Sequence, residues 1–228
     1  MSSLTGDFPP GSFLAKLPET SRAGLLGLGT LREYAPGKVL LREGETTAHV
    51  LVLVSGFVKV TATTPEGQLA LLAIRTAGEL IGELASMDGQ PRVATVTCAG
   101  RVRARLVPQA EFRRFLAGHS DVALEVGSSV AGKLRWATRR RVDFGSREVR
   151  IRLARVLLEL AAAYGTPGRG GVEIGVDLTQ PELAALVGAA EPTVHRALAG
   201  FRHAGVVGTG YRRITVVDRA RLEAVADG

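Results

Sequence analysis

Cysteine is almost absent from this chain, because Cys98 is the only one among 228 residues. A single thiol excludes an intrachain disulfide and the four-thiolate cluster that binds an iron–sulfur centre. Cys98 lies within a strand-like run, so we expect it in the core and not as a haem or metal ligand. Chains without disulfides are typical of a reducing compartment, and we therefore expect this protein in the cytoplasm.

Long apolar runs are also missing. No segment approaches the roughly 20 apolar residues that span a bilayer, and the start of the chain, MSSLTGDFPPGSF, lacks the basic residues and apolar core of a signal peptide. We therefore expect a soluble protein with no membrane partner. The chain is 46% hydrophobic and 22% charged, which is typical of a globular protein, and its length favours two domains.

The motifs of common enzymes are missing too. The sequence contains no nucleophile elbow, no phosphate-binding P-loop and no catalytic cysteine–histidine arrangement, and its four histidines, at positions 49, 119, 195 and 203, are scattered. The sequence therefore predicts a protein that is not an enzyme, requires no cofactor and has no metal site.

Positive charge is concentrated towards the C-terminus. Residues 1–128 contain 13 Lys and Arg against 12 Asp and Glu, whereas residues 129–228 contain 16 against 10. The whole chain has a formal net charge of +7. A basic domain joined to a nearly neutral one is typical of a nucleic-acid-binding domain attached to a sensor domain.

Short β-rich runs separated by turn residues dominate the chain from Tyr34 to Leu106. Their number and spacing predict a sandwich or barrel that closes on itself. The predicted strands are Lys38–Arg42, Val50–Val54, Phe57–Ala62, Leu69–Ile74, Val93–Cys98 and Val102–Val107. Before them, leucines with helical spacing predict one or two short helices over residues 12–31.

A long helix is predicted from Asp121 to about Asp143. One narrow line of residues recurs along it every three or four positions, which favours a coiled-coil contact with a partner helix. The line consists of Ala123, Val126, Val130, Leu134, Ala137 and Arg141. The alternative is that this face packs on the β-rich domain of its own chain. Phe144-Gly145 follows as the predicted hinge, with the glycine ending the helix.

The most specific motif is a helix-turn-helix between Leu178 and Val207. Thr179 and Glu182 form a T-x-x-E capping box, so the first helix is expected to begin at Gln180. A small residue, a glycine free to adopt positive φ and a β-branched residue follow at the spacing of two crossed helices. These three are Ala184, Gly188 and Val194. A plain αα-hairpin is the alternative.

The second helix, predicted from Glu191 to His203, has an outer face that can enter the major groove of DNA. Arg196 can donate two hydrogen bonds to a guanine, and Glu191 can accept one from a cytosine. Including the start of the preceding helix, the candidate DNA contacts are Thr179, Gln180, Glu191, Pro192, Thr193, His195, Arg196 and Arg202. A solvated surface position is the alternative for each of them.

A β-hairpin is predicted after the second helix. β-branched residues at 206–207 and 214–217 flank a glycine-rich tip, a pattern typical of the wing of a winged helix. Arg212 and Arg213 at the tip suit contacts with DNA phosphates, and a solvated charged turn is the alternative.

One stretch in the β-rich part, residues 78–96, combines a carboxylate with a guanidinium. Gly82-Glu83-Leu84 is followed by a short turn and then by Arg92-Val93-Ala94. An arginine pairs well with a phosphate, a glutamate accepts hydrogen bonds from a ribose hydroxyl, and N–H groups in the turn add donors for an anion. This combination predicts a ligand pocket.

The G-E-L-A…R-x-A pattern resembles the phosphate-binding cassette of cyclic-nucleotide-binding domains. With the long helix and the winged helix-turn-helix, the chain from about residue 12 to 220 resembles the Crp/Fnr superfamily of transcription regulators. The resemblance implies an α+β fold in three parts. These are a cyclic-nucleotide-binding-type β jelly roll over residues 1–120, a dimerisation helix over 121–143 and a winged helix-turn-helix domain over 144–228.

The resemblance also implies a function. The two recognition helices of a homodimer would enter successive major grooves of a pseudo-palindromic site on double-stranded DNA, and RNA polymerase would be a further partner. A cyclic nucleotide, cyclic AMP or cyclic GMP, would bind as an effector and reorient the DNA-binding domains.

Individual roles follow by position. Gly82-Glu83-Leu84 matches the ribose side of the cassette, and Arg92 matches the phosphate-binding arginine. Val93 stands where the family usually has Ser, Ala or Thr, so a hydroxyl donor is lost. In the long helix, Thr138 keeps one of the two hydroxyl groups that face the purine in the family.

The chain also departs from the family pattern in its recognition helix, where only Arg196 of the common Arg-Glu-x-x-x-Arg is retained. Two alternatives therefore stay open beside a regulator controlled by a cyclic nucleotide. One is an effector-independent regulator in which Glu83 and Arg92 simply pair with each other. The other is a sensor of haem or another ligand on the same fold.

Overall fold

The computed structural model describes residues 8–64, 67, 69–168, 170–176, 178–210 and 213–228. These residues form two compact units. The first unit contains the described residues up to Leu69 together with Ala73–Trp136, and the second contains Ala70–Leu72 and Ala137–Gly228. Among the helices of this described part, none is both long enough and apolar enough to cross a membrane.

Two four-stranded sheets form the β structure of the first unit. Their orders are β1-β8-β3-β6 and β2-β7-β4-β5, and each strand pair with a described register is antiparallel. The strands are β1 (Thr30–Tyr34), β2 (Val39–Leu41), β3 (Val50–Ser55), β4 (Phe57–Thr63), β5 (Leu69–Thr76), β6 (Leu80–Ile81), β7 (Thr95–Cys98) and β8 (Val102–Val107). The predicted closed β domain is therefore confirmed.

Two strands of the first unit were not predicted from the sequence. β1 lies at the edge of its sheet and pairs with β8 from Thr30 to Tyr34. Its sequence, TLREY, has no regular alternation of apolar and polar residues, so it gives little strand signal. β6 is two residues long, which is too short for any periodic pattern.

Five helices accompany these sheets. They are α1 (Phe13–Lys16), α2 (Glu19–Gly27), α3 (Glu83–Asp88), α4 (Gln109–Gly118) and α5 (Ser120–Ser146). The first two confirm the short helices predicted over residues 12–31. Phe13, Leu14, Leu25 and Phe112 pack with Val50 and Val52 of β3 in one buried cluster. Burial of this apolar surface stabilises the helices against the sheet, because short helices are marginal on their own.

The long helix differs from its prediction at both ends. Val126, expected on the seam with a partner helix, is fully buried with Val122 in the core of the first unit. The alternative packing on its own domain therefore holds for this end, and the two units divide inside the helix, between Trp136 and Ala137. Between Val126 and this division, Leu134 of the same predicted seam is 67% exposed.

The predicted hinge lies inside α5. The helix includes Phe144-Gly145 and continues to Ser146, and the next helix begins at Val149. A glycine within a helix costs about 1 kcal/mol relative to alanine, which is not enough to end one. The helix therefore ends one residue beyond the predicted glycine, and the hinge stays a prediction.

The second unit is a small α+β domain. Its elements are α6 (Val149–Tyr164), β9 (Gly165–Gly168), β10 (Gly171–Ile174), α7 (Gln180–Val187), α8 (Glu191–His203), β11 (Val207–Gly210), β12 (Arg213–Val216) and α9 (Arg219–Asp227). The strands form an antiparallel sheet in the order β11-β12-β10-β9. Leu153, Leu157, Leu183 and Phe201 are buried among its helices. The helix-turn-helix and the hairpin after it are both confirmed.

Candidate nucleic-acid interface and ligand pocket

The capping box fixes where the helix-turn-helix begins. The backbone N–H of Thr179 donates to Oε2 of Glu182 over 2.8 Å, and the backbone N–H of Glu182 donates to Oγ1 of Thr179 over 3.4 Å. The helix α7 then begins at Gln180, as predicted. Because its hydroxyl is already used in the cap, Thr179 offers less to DNA than the prediction assumed, whereas Gln180 is exposed.

The turn between α7 and α8 depends on one glycine. Gly188 ends α7 with φ of +64°, in the left-handed region that costs other residues steric strain. Ala184 and Val194 are both buried where the two helices cross. The three residues recognised in the sequence are thus a positive-φ glycine at the turn and two buried side chains on the helices it joins.

The outer face of α8 is free for a partner. Val194, Leu198 and Phe201 are buried and hold the helix against its domain. Of the predicted DNA contacts on this helix, Glu191, Pro192, His195, Arg196 and Arg202 are exposed and Thr193 is half-buried. Pro192 lies in the first turn, where a missing N–H breaks no intrahelical bond. The predicted positions on α8 are therefore accessible, with Arg202 near the C-terminal end of the helix and the others in its N-terminal half.

The wing contributes one described arginine. Nε of Arg213 lies 3.5 Å from a carboxylate oxygen of Glu173 on β10, and the Arg213 side chain remains 72% exposed. This loose, exposed pair leaves the guanidinium available to a phosphate. Arg212 lies outside the described residues.

Sequence reasoning missed two arginines of α6 that support the helix-turn-helix. Nη1 of Arg152 donates to the carbonyl oxygen of Gly188 over 3.0 Å, which ties the turn to α6. The guanidinium of Arg150 lies 5.5 Å from the ring centroid of Phe201, a cation–π distance. Their spacing on α6 carries no sequence signal for either contact, since both partners lie far away in the chain.

The ligand pocket is built around α3. The sequence suggested a short turn after Glu83, but residues 83–88 form a helix. Gly82 precedes it with φ of +83°, and a Cβ there would lie 2.6 Å from Nη1 of Arg92. Glycine is therefore required at this position. The described residues that line the pocket are Leu41, Val60, Arg75, Ile81, Gly82, Glu83, Leu84, Ala85, Arg92, Val93, Ala94, Val96 and Lys133.

Arg92 is held by its own domain. It is 4% exposed, and its guanidinium donates to Oγ1 of Thr47 over 3.2 Å, to the carbonyl of Gly82 over 2.8 Å and to the carbonyl of His49 over 2.6 Å. Burial lowers the pKa of Arg92 below its usual value, and the nearby carboxylates of Glu45 and Glu83 offset only part of this effect. A buried cation with three protein acceptors stabilises the loops that meet at the pocket.

Glu83 pairs with a lysine that the sequence analysis did not single out. It is 4% exposed, and its Oε1 accepts from Nζ of Lys133 over 2.9 Å. The same ammonium donates to the carbonyl of Leu80 over 3.0 Å. The suggested direct pairing of Glu83 with Arg92 is therefore not what forms. Lys133 comes from α5, 50 residues further along the chain, and no local pattern could have indicated it.

The other predicted pocket residues differ in position. Leu84 is half-buried in the lining, and Val93 is 63% exposed at the pocket. Thr138 lies beyond the division of the two units and is exposed on α5. Its contact with a purine stays a prediction.

Cys98 lies in the core, as expected. It is 3% exposed within the cluster that includes Leu51 and Val102, and burial raises the pKa of its thiol to about 11. In the described part of the chain, no group of three or more His, Cys, Asp or Glu side chains could hold a metal ion.

Both halves of the chain match known protein families. Residues 31–119 match the cyclic nucleotide-binding domain, and residues 151–225 match the Crp-like helix-turn-helix domain. The chain is 32% identical over 190 residues to a CRP-like cAMP-activated global transcriptional regulator of Mycobacterium tuberculosis, covering 83% of this chain and 85% of the relative. It is 28% identical over 197 residues to a cyclic AMP receptor protein of Thermus thermophilus, covering 86% and 88%.

Solved structures agree with this assignment. A CRP-family transcriptional regulator of Thermus thermophilus aligns with a TM-score of 0.72 at 25% identity, over 86% of this chain and 97% of that one. FixK2 of Bradyrhizobium japonicum shares the fold, with a TM-score of 0.76 at 22% identity over 87% and 97%. Since the mycobacterial relative matches along most of both chains, this chain belongs to the Crp/Fnr superfamily: it is a transcription regulator with a cyclic nucleotide-binding domain and a Crp-like helix-turn-helix, and it is not an enzyme.

Proposed function

We propose that the protein acts in the cytoplasm as a homodimer that reads a pseudo-palindromic DNA site with two copies of α8 and responds to a cyclic nucleotide in its β domain. The exposed N-terminal half of α8, with Arg196 on its outer face, is the observation that carries the DNA half of this proposal. RNA polymerase is a further proposed partner, because a regulator bound at a promoter can contact it. Selection of duplexes from a random library tests the proposal, and a protein that enriches no sequence contradicts it.

We assign different residues of the second unit to the bases and to the phosphates of DNA. Arg196 is assigned to a guanine and Glu191 to a cytosine, because their donors and acceptors match those base edges. Arg202 and Arg213 are assigned to phosphates, which fix the register of the protein on the duplex. Thr193 and His195 lie between Glu191 and Arg196 in the chain and can serve either kind of contact.

The C-terminal part of α5 supports a dimer. Leu134 is 67% exposed and Val142 is 61% exposed, so both apolar side chains are available for burial against a partner helix. We propose that residues 121–143 act as the dimerisation helix through this part, while Val122 and Val126 serve the core of their own domain.

Leu134→Asp should convert the dimer to a monomer. A carboxylate facing its symmetry copy would remove apolar burial and add like-charge repulsion at the contact. Sedimentation velocity at micromolar concentration should give about twice the chain mass of 24.0 kDa for the unmodified protein and the chain mass for the variant. Val217→Asp, at a position 49% exposed in the second unit, is the control that should stay dimeric. If the unmodified protein sediments as a monomer, the proposal is contradicted.

The charges of the pocket favour an anionic ligand. Of the described lining residues, Arg75, Arg92 and Lys133 are cationic and Glu83 is acidic. A concave site with this balance attracts an anion such as a phosphate. A ribose hydroxyl that binds Glu83 must compete with Lys133, whose ammonium then becomes available to the phosphate. The regulator of Mycobacterium tuberculosis named above is described as cAMP-activated, which supports cyclic AMP over other phosphates.

Val93→Ser should strengthen cyclic-nucleotide binding. Val93 is 63% exposed, so the change costs little stability, and the new hydroxyl can donate to the phosphate. We expect an affinity for cyclic AMP about three- to tenfold higher, in line with one additional charge-assisted hydrogen bond in a partly exposed site. Isothermal titration calorimetry of both proteins measures this, and an affinity that falls or stays equal would place the phosphate elsewhere.

An effector-independent regulator is the second candidate, and the state of Arg92 favours it. The guanidinium already has three protein acceptors, so the cassette is stable without any ligand. Calorimetry separates the two candidates: no heat with cyclic AMP or cyclic GMP, together with sequence-specific DNA binding, selects the second.

A further inference from the structure

The C-terminal end of α3 is closed by side chains of α4. The carbonyl of Ser86 accepts from Nε2 of Gln109 and from Nε of Arg113, each over 2.9 Å, and the carbonyl of Met87 accepts from Nη2 of Arg113 over 3.0 Å. The last carbonyls of a helix have no partner within it, so these are the groups that need external donors. One guanidinium thus binds two successive carbonyls with its planar fork.

This contact matters because α3 is short and shapes the pocket. A helix of six residues is not stable by itself, yet it provides Glu83, Leu84 and Ala85 to the lining. The cation of Arg113 also lies at the end of the helix where the negative end of the dipole is found. The geometry of the lining therefore depends on a residue that lies outside it.

The helix α4, which carries Gln109 and Arg113, is itself anchored in the domain. Phe112, beside Arg113, is fully buried. Oε1 of Glu111 accepts from the backbone N–H of Gly29 over 2.9 Å, which ties α4 to the start of β1. Gln109 and Arg113 are four residues apart and so share one face of α4.

We propose that Arg113, assisted by Gln109, is a positioning residue of the effector pocket: it holds α3 in the conformation that presents Glu83 to a ligand. The inference rests on the proposed ligand function of the pocket. Arg113 acts through α3 and is not itself a lining residue. Its role requires the two-pronged guanidinium, because a lysine retains the charge but cannot bind both carbonyls in the same way.

Hydrogen exchange of Arg113→Lys, without any ligand, tests the positioning directly. The reporters are the backbone N–H of Ser86, which donates to Gly82, and that of Gly89, which donates to Ala85. We expect exchange at these amides to accelerate at least about threefold, as for the loss of one charged hydrogen bond at a partly exposed site. Amides of β3 and β8 should exchange at unchanged rates, which shows that the domain remains folded.

Arg114→Lys is the matched control, since Arg114 is the exposed neighbour on α4 and lies on another face of the helix. It should leave exchange at α3 unchanged. If cyclic AMP binds the unmodified protein, Arg113→Lys should weaken it at least about threefold, and Arg114→Lys should not.

The two proposals fail in different ways. Absence of cyclic-nucleotide binding to the unmodified protein contradicts the effector proposal, but accelerated exchange at α3 would still support the role of Arg113. Unchanged exchange in Arg113→Lys overturns the inference whether or not a nucleotide binds. Faster exchange with unchanged cyclic AMP affinity overturns it as well. In that case Arg113 would stabilise α3, but the conformation of α3 would not affect ligand binding in the pocket.

Discussion

Arg196→Ala should strongly reduce the sequence preference of the protein while leaving its fold intact. The side chain is exposed on α8, so its truncation removes no core contact. A bidentate contact with guanine contributes about 1–3 kcal/mol of discrimination per site. A dimer has two such contacts, and we therefore expect specific affinity to fall by about 2–6 kcal/mol, with affinity for random duplex nearly unchanged.

Fluorescence anisotropy with a selected duplex and a scrambled competitor measures this difference. Arg202→Ala is the matched control, because Arg202 is exposed near the other end of the same helix and is assigned to a phosphate. It should weaken both duplexes to a similar extent and reduce the salt dependence of binding. If Arg196→Ala weakens both duplexes equally, Arg196 contacts only the backbone and base reading must be reassigned.

Arg92→Met should destabilise the β domain strongly, even without a ligand. The change removes donors to Thr47, Gly82 and His49 and leaves the part-buried carbonyls of Gly82 and His49 without their partner. A hydrogen bond to a charged group contributes about 1.5–3 kcal/mol, and water replaces part of this at the three part-buried acceptors, so we expect a total loss of about 3–5 kcal/mol. The midpoint of thermal unfolding of this domain should fall by on the order of 10 °C.

Arg42→Met provides the comparison, because the Arg42 side chain is 65% exposed and close in sequence to the same loops. Its midpoint should change by less than about 2 °C, as for an ordinary surface substitution. An Arg92→Met protein as stable as the Arg42→Met protein would show that the guanidinium is not structural. Loss of ligand binding in an Arg92 variant is consequently weak evidence for a direct phosphate contact, and Val93→Ser is the cleaner probe of the pocket.

Local signals in the sequence predicted the DNA-binding half well. The capping box of Thr179, the glycine at 188 and the apolar spacing of α8 are set by neighbours in the chain, and all three are confirmed. Such signals depend on backbone conformation and helical periodicity, which a sequence displays directly.

The sequence predicted which charged residues line the pocket but not which groups they contact. Glu83 and Arg92 were both found in the lining, but their partners are Lys133 and the carbonyls of Gly82 and His49. These partners come from distant parts of the chain or from the backbone, and neither leaves a residue pattern. The seam on α5 shows the same limit, because Val126 has an apolar side chain that suits a partner helix and its own core equally well.

A hydroxyl-radical footprint on a duplex selected from a random library tests the central claim most directly. Two copies of α8 in successive major grooves should protect two patches on one face of the duplex, with centres about 10–10.5 base pairs apart. The pattern should have two-fold symmetry and should weaken strongly with Arg196→Ala at the same protein concentration. A single protected patch, or equal protection of selected and scrambled duplexes, would contradict the claim.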